Sequence, residues 1–203
     1  MKTIICQDAK KYLESQESIP SVITSLPDME EVNMELDDWK IWFEEMVRLI
    51  LLKLQPHQYA IFYQTDRKHK GRYIDKSYLC NNAAHDSGVD MIFHKIVMKS
   101  NPKNISLFRP NYTHLLCYSK GGTPQKATPD FIDEDVIEKG EMAYKNAMGL
   151  QACQFAVNFV KPVTDTILDP FCGMGSVLRI ANDSGLRAIG VDIDPKMCEK
   201  AKK

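Results

Sequence analysis

The sequence lacks any excess of charge of one sign. Its 203 residues hold 26 Lys and Arg against 27 Asp and Glu, a net charge of -1 with a pI near 6.5. A global basic field is excluded, so contact with nucleic acid has to come from a local patch. There is no apolar run near the ~20 residues of a membrane-spanning helix. Residues 2–6 read as a strand, without the long apolar core of a secretion signal. None of the six cysteines stands at Cys-x-x-Cys spacing and no His cluster accompanies them, which argues against structural zinc and against a disulfide framework. They are expected to be reduced, mostly buried thiols of an intracellular protein, cytoplasmic or nuclear, with no metal site and no membrane partner. Repeats and low-complexity tracts are absent. With 44% hydrophobic residues, the chain fits one compact domain with a full-sized core.

What is present is an alternation of strand-like and helix-like runs. Residues 3–6, 21–25 and 59–64 read as strands, and residues 9–15 as a short helix with Tyr12 and Leu13 inward. The strongest helix covers residues 35–54. There Trp39, Trp42, Phe43, Met46, Val47, Ile50, Leu51 and Leu54 recur at three- and four-residue spacing and form one broad core face. Asp37 and Asp38 suit its first turn, and Pro56 stops it. Residues 66–88 are rich in charge and read as a loop with about one helical turn from Lys76 to Ala84. Residues 94–98 and 114–118 read as strands joined by a loop through Asn101-Pro102 and Arg109-Pro110, which predicts an antiparallel pair at a sheet edge. Residues 124–135 form a polar connection. Residues 138–160 predict a mainly helical segment, with Gly149 as a break and Pro162 as its end. The alternation predicts an α/β fold built on a doubly wound, mostly parallel sheet.

The densest signal comes late. The run Thr166-Ile167-Leu168-Asp169 is followed by Pro170-Phe171-Cys172-Gly173-Met174-Gly175-Ser176 and then a helical pattern. Strand, Gly-x-Gly turn and helix start are the parts that nucleotide-type cofactors use. Gly173 and Gly175 let the backbone approach a ligand. The helix that follows offers unpaired N–H groups to an anionic group, and Asp169 can accept from a ligand ammonium. A second strand-like run ends at Asp192-Ile193, where Asp192 is placed to accept from ribose hydroxyls.

At these residues the chain resembles the S-adenosylmethionine-dependent methyltransferases of the Rossmann-like class. Asp169 to Ser176 is similar to the Asp-Pro-Phe-x-Gly-x-Gly-Ser/Thr form of their first motif, typical of nucleic-acid amino-methyltransferases. Its late position resembles the circularly permuted (beta-type) subgroup, which puts the cofactor motif last. The resemblance implies a single methyltransferase domain over residues 1–203, with a substrate half at 1–120 and a connection and cofactor half at 121–203. It implies S-adenosylmethionine as cofactor, held by Asp8, Asp169, Pro170, Phe171, Gly173, Gly175, Ser176, Asp192 and Ile193, with Asp8 on the adenine amino group. Residues 145–154 would help close the methionine pocket.

The same resemblance places the catalytic loop at Ser25-Leu26-Pro27-Asp28, where the family carries Asp/Ser-Pro-Pro-Tyr. Ser25, Pro27 and Asp28 are thus the catalytic candidates. Ser25 and the Leu26 carbonyl can accept from an amine, while Asp28 replaces the aromatic residue that stacks on a flipped base. Asp28 reads equally as a proton acceptor and as a turn or helix cap. Arg67, Lys68, Arg72 and Arg109 are the substrate-binding candidates, as holders of phosphate, against a solvated surface loop as the plainer reading. Tyr63, Tyr73 and Tyr78 interleave with these charges. The expected activity is methyl transfer to a nitrogen of a nucleic-acid base. RNA is favoured over DNA because the excursions are too short for a separate DNA-recognition insertion. A homodimer or a partner subunit is a further expectation. The competing readings are a non-catalytic methyltransferase-like subunit and a protein or small-molecule methyltransferase.

Overall fold

The computed structural model describes residues 1–99, 109–126, 128, 131–144 and 147–203. The Asn101-Pro102 part of the strand-joining loop and Lys145 lie outside the described residues. The strands are β1 (Lys2–Cys6), β2 (Ser21–Thr24), β3 (Tyr59–Gln64), β4 (Arg67–His69), β5 (Arg72–Ile74), β6 (Asp90–Met98), β7 (Tyr112–Ser119), β8 (Val136–Glu138), β9 (Thr166–Asp169) and β10 (Arg187–Asp192). The helices are α1 (Ala9–Ser15), α2 (Leu36–Lys53), α3 (Lys76–Asp86), α4 (Leu150–Val160), α5 (Ser176–Asp183) and α6 (Pro195–Lys202).

Eight strands form one sheet in the order β1-β10-β9-β2-β3-β7-β6-β8, and β4 and β5 form a separate hairpin. Within the large sheet every pairing is parallel except β3 with β7 and β7 with β6. It follows that β7 alone runs against the other seven. The last two strands of the chain, β9 and β10, sit between β1 and β2, which is the circular permutation seen in space. From β9 the chain moves to one side, to β10, and from β2 it moves to the other, to β3. The gap between β9 and β2 is thus the switch point, where open α/β sheets bind their ligands at the carboxyl ends of the strands.

The strands are apolar on both faces, as parallel sheets covered on both sides must be. Val22, Ala60, Phe62, Leu116 and Leu168 face one core with α1, α2 and α3. Ile23, Ile61, Leu115, Cys117 and Ile167 face the other with α4, α5 and Ala201 of α6. Helix α2 buries Trp39, Phe43, Met46, Val47, Ile50 and Leu51, the stripe the spacing predicts. It ends at Lys53, before Gln55-Pro56, because a residue preceding proline is disfavoured in the helical region. No helix among the described residues is long and apolar enough to cross a membrane.

The structure corrects two expectations. Residues 66–88 are not a loop with one turn of helix but the β4–β5 hairpin followed by the 11-residue α3. Lys70 and Gly71, both at positive φ, make the hairpin turn. Asp75 caps α3 by accepting from Tyr78 N at 2.9 Å. The segment 138–160 is helical only from Leu150, with Gly149 as its N-cap. Before it lies the short β8, which pairs in parallel outside β6. The antiparallel pair β6–β7 is therefore one strand in from the sheet's end.

Candidate active site

The carboxyl edge of the sheet brings together residues far apart in sequence. Asp8 follows β1, Asp192 ends β10, Asp169 ends β9, and the loop 25–28 follows β2. Beyond it come Asp66 and Arg67 after β3, Arg109 just before β7, Lys99 after β6 and Lys139 after β8. Asp8, Asp192 and Asp169 occupy the half around β1, β10 and β9, while Asp28 and Asp66 lie beyond it. The basic residues occupy the half around β3, β7, β6 and β8.

The acidic half is built around the glycine turn. Gly173 and Gly175 have φ of 51° and 77°, left-handed values that glycine adopts without penalty. Gly175 is the N-cap of α5 and offers no side chain, so the first-turn N–H groups of α5 are left for a ligand. Gly173 N donates to Asp192 Oδ2 at 2.9 Å and Asp194 N to Asp192 Oδ1 at 2.9 Å. An ionised carboxylate has about four acceptor positions, so Asp192 retains capacity for two hydroxyls. Beside it the cofactor candidate Ile193 is 69% exposed and presents an apolar surface. Asp8 caps α1 through Lys11 N at 2.9 Å, with one carboxylate oxygen. Pro170 and Phe171 carry the chain into the turn, and Phe171 packs edge-on against Trp42 of α2 at 6.0 Å.

Asp169 is buried. Its Oδ1 accepts from Thr24 Oγ1 at 2.7 Å and from Phe171 N at 3.2 Å. Burial pushes its carboxyl up to about 7, with Asp192 adding in the same direction against those two hydrogen bonds. A carboxylate this poorly compensated is suited to an incoming cation. Ser176 is buried at the start of α5, and Met174 N donates to Tyr144 Oη at 3.3 Å. Neither Thr24 nor Tyr144 carried a sequence signal. Gly190 explains how close the turn sits to the sheet. A Cβ there would lie 2.4 Å from Leu178 Cδ1 and 2.8 Å from Cys172 Sγ. Gly190→Ala is expected to cost about 1–3 kcal/mol through overpacking and to weaken cofactor binding. Urea unfolding and calorimetric titration on the same variant check both.

The catalytic-loop candidates differ in environment. Ser25 is exposed, Leu26 buried and Pro27 half-buried. The Pro27 carbonyl accepts from Trp39 Nε1 at 3.1 Å, so α2 holds the loop in place. The Asp28 carboxylate caps neither a turn nor a helix. It receives Lys76 Nζ on Oδ1, with Arg109 and, at 3.2 Å, Arg67 on Oδ2. Burial alone would raise the Asp28 carboxyl, but Lys76, Arg109 and Arg67 override it and hold it below the usual carboxylate range. A carboxylate bound this way is a weak base. Arg67 also pairs with Glu30, and Glu31 accepts from Asp28 N at 2.7 Å.

The basic candidates therefore divide. Arg67 and Arg109 are drawn in around Asp28, with Lys76, which the sequence presents only as one charge in a polar loop. Lys68 and Arg72 lie on the hairpin, with Lys68 Nζ 5.2 Å from the Tyr73 ring centroid. Lys99 donates to the Pro110 carbonyl at 3.2 Å. Burial first, then the nearby Arg109 and Lys139, lowers its amine to about 8. Asp66, buried, accepts from Lys76 N and from His114 Nε2, each at 2.9 Å, and His94 Nε2 meets His114 Nδ1 at 2.9 Å. Asp66, Asp75 and His114 bring three ligand-type atoms within 4.8 Å of one another. Each is already engaged: Asp66 with His114, and Asp75 with the start of α3.

Sheet order, glycine turn and the two strand-end acids define a Rossmann-like methyltransferase with S-adenosylmethionine as its cofactor, and its donors and acceptors fit that ligand. A family model described as DNA methylase matches residues 17–203, and the chain belongs to that family of S-adenosylmethionine-dependent enzymes. Among solved structures, a Thermus thermophilus protein assigned as a DNA modification methylase superposes with a TM-score of 0.77 at 21% identity, over 100% of this chain and 93% of that one. The same protein complexed with S-adenosylmethionine gives 0.73 at 20% identity, covering 99% and 92%. The PvuII cytosine-N4-specific DNA methyltransferase gives 0.83 at 14% identity, covering 99% and 85%. A stretch of 50 residues is 46% identical to the tRNA (guanine(10)-N2)-dimethyltransferase of Methanothermobacter thermautotrophicus strain Delta H. It spans 25% of this chain and 15% of that protein's length.

Proposed function

We propose that this protein transfers a methyl group to a nitrogen of a nucleic-acid base, with RNA favoured over DNA. The observation that carries the reading is the polarity of the carboxyl edge. Asp8, Asp169 and Asp192 line the half that would hold a cationic cofactor, and Arg67, Lys99, Arg109 and Lys139 stand along the half that would meet a polyanion, around the buried Asp28 and Asp66.

Bound S-adenosylmethionine supplies an activated methyl group on a sulfonium leaving group. What this chain contributes is binding and alignment, and the proton that the nitrogen loses on methylation passes to solvent. Asp169 and the first turn of α5 hold the amino-acid end, Asp192 the ribose, and Asp8 with Ile193 the adenine. Ser25, exposed directly after β2, and the Leu26 carbonyl accept from the amine that is methylated. Pro27 fixes the bend between them. Asp28 gathers Lys76, Arg67 and Arg109 beside the target, and so acts through charge and position rather than as a base. The preference for RNA rests on the short hairpin and connection, and on the likeness to a tRNA methyltransferase.

In this reading residues 1–120 form the substrate half and residues 121–203 the connection and cofactor half of one domain. A second copy or a partner subunit completes the grip on the substrate. Six free thiols, five of them buried, suit an intracellular place of work, cytoplasmic or nuclear.

A second reading, a non-catalytic methyltransferase-like subunit, is favoured by one observation. The residue that takes the place of the stacking aromatic, Asp28, is consumed by three cations. Transfer of labelled methyl groups from S-adenosylmethionine to total RNA, DNA and protein separates the two. Label in RNA is expected. Label only in protein overturns the substrate class, and cofactor binding with no label in any fraction supports the second reading.

A further inference from the structure

One groove is left unused by this chemistry. Ile41 of α2, Tyr73 of β5 and Tyr78 of α3 are 62%, 55% and 61% exposed, and all three line a single open groove of about 420 Å³. Large apolar side chains scattered singly over a surface need no explanation, but a cluster in one concavity marks an interaction site. The wall beside it is the β4–β5 hairpin, whose residues Arg67-Lys68-His69-Lys70-Gly71-Arg72 include no acid. The acids on the rim are engaged: Asp75 caps α3, and Glu44 Oε2 accepts from Asn82 at 3.1 Å. Lys40 also lines the groove, paired with Asp37 at 3.4 Å.

Exposed aromatic rings beside the cations of the hairpin are complementary to an unpaired nucleic-acid strand. The rings stack on base faces of any identity and the cations hold the phosphates. Lys68, already over the Tyr73 ring at 5.2 Å, places a cation at one of the stacking surfaces. The hairpin beside the groove also reaches the candidate active site, because Arg67, the first residue of β4, is paired to Asp28 in the loop after β2. A duplex presents no base faces to such rings.

We propose that the groove is a track for the single strand flanking the target base. Tyr73 and Tyr78 stack on bases there, and Lys68, Lys70 and Arg72 hold its phosphates. This rests on the nucleic-acid reading above and narrows it to an unpaired substrate region.

The test is fluorescence anisotropy with labelled oligonucleotides of roughly 10 nucleotides, as single-stranded RNA, single-stranded DNA and the RNA duplex. The full chain is expected to bind single strands at least about tenfold more tightly than the duplex. Tyr78→Ala should weaken single-strand binding by roughly 5- to 100-fold, at the stacking energies aromatic platforms supply, and Tyr73→Ala/Tyr78→Ala by more. Tyr78→Phe should keep the wild-type affinity. Arg72→Gln should lower the salt slope by about 0.7, one single-strand phosphate contact. S-adenosylmethionine titration and thermal unfolding of each variant should match the wild type. Equal affinity for duplex and single strand, or an unchanged Tyr78→Ala, overturns the groove proposal while leaving the nucleic-acid reading intact. If the wild type binds the cofactor but no oligonucleotide, the nucleic-acid reading itself fails. Loss of a dimer in Tyr78→Ala by light scattering, with oligonucleotide binding unchanged, assigns the groove to a second copy instead.

Discussion

Replacing Asp28 with alanine is expected to destabilise the fold by about 3–5 kcal/mol, the range for breaking one partner out of a buried ion pair. The Asp28 and Lys76 side chains are only 6% and 4% exposed. Arg67 and Arg109, at 26% and 44%, can turn toward water when the carboxylate is lost. Lys76 cannot. Its ammonium sits over the Trp39 and Phe43 rings at 5.5 and 5.9 Å, contacts far too weak to replace a carboxylate. Lys76→Met in the Asp28→Ala background should therefore recover most of the stability in urea unfolding, because the buried charge leaves with its partner. If the double variant is as unstable as Asp28→Ala, the pair is not what holds this region. The pH dependence has a definite sign. The Asp28 carboxyl is held below its unfolded value of 3.8, so its contribution is present above that pH and is lost as pH falls through the folded value. A loss of methyl transfer in Asp28→Ala must accordingly be read beside its stability. Only a well-folded variant, such as the double one, reports on catalysis.

This cluster also shows what sequence reasoning could reach. The strand, glycine turn and helix of residues 166–183 were legible because their signal is local. Asp169, Gly173, Gly175 and Ser176 lie within eight residues, and their spacing alone specifies strand, turn and helix. The α2 stripe was legible for the same reason, since helical periodicity is written in neighbouring residues. The surroundings of Asp28 were not legible, because its partners are 39, 48 and 81 residues away. Within their own segment, Arg67 and Lys76 look like any solvated charge run. It is β3, the hairpin and α3 that fold them back onto the loop after β2. Thr24 and Asp169, 145 residues apart, meet only because β2 and β9 are adjacent strands. Residues 66–88 read as a loop because the hairpin strands are three residues each, too short for a period of two to show, and because the buried side of α3 is mostly small residues, Cys80, Ala83 and Ala84, beside a buried Lys76. Segment 138–160 read as helix because its alternation of charge and apolar residues suits either period, and β8 is fixed only by pairing with β6.

The buried acid at the end of β9 should make two properties of the protein move in opposite directions. Burial raises the Asp169 carboxyl to about 7 from an unfolded value of 3.8. A raised folded value means that its contribution to stability is full below pH 3.8 and is lost as pH rises through 7. Above that pH the fold carries an ionised carboxylate in a site that compensates it poorly, at a cost on the order of 2–4 kcal/mol for a shift of roughly three units. Asp169→Asn keeps the shape and removes the ionisation. It is expected to be more stable than the wild type at pH 8 by about that amount, with the difference shrinking toward pH 4. Cofactor binding should go the other way. An ammonium group beside Asp169 favours the ionised form, so wild-type affinity for S-adenosylmethionine should rise about tenfold per pH unit below 7, with release of one proton per molecule bound. It should level above 7 and fall again above about 8, as the amine of the ligand loses its own proton. In Asp169→Asn the affinity should drop at least about 100-fold at pH 7.5, near 3 kcal/mol, and its rise between pH 5 and 7 should disappear. Calorimetric titrations in buffers of different ionisation enthalpy read the proton count directly. A wild-type titration that releases no proton at pH 6, or an Asp169→Asn variant that keeps the wild-type pH profile, would show that the ligand's amine does not meet this carboxylate. The same strand end would then hold the buried acid for stability of the Thr24 contact alone, and the cost it carries at neutral pH would have no counterpart in binding.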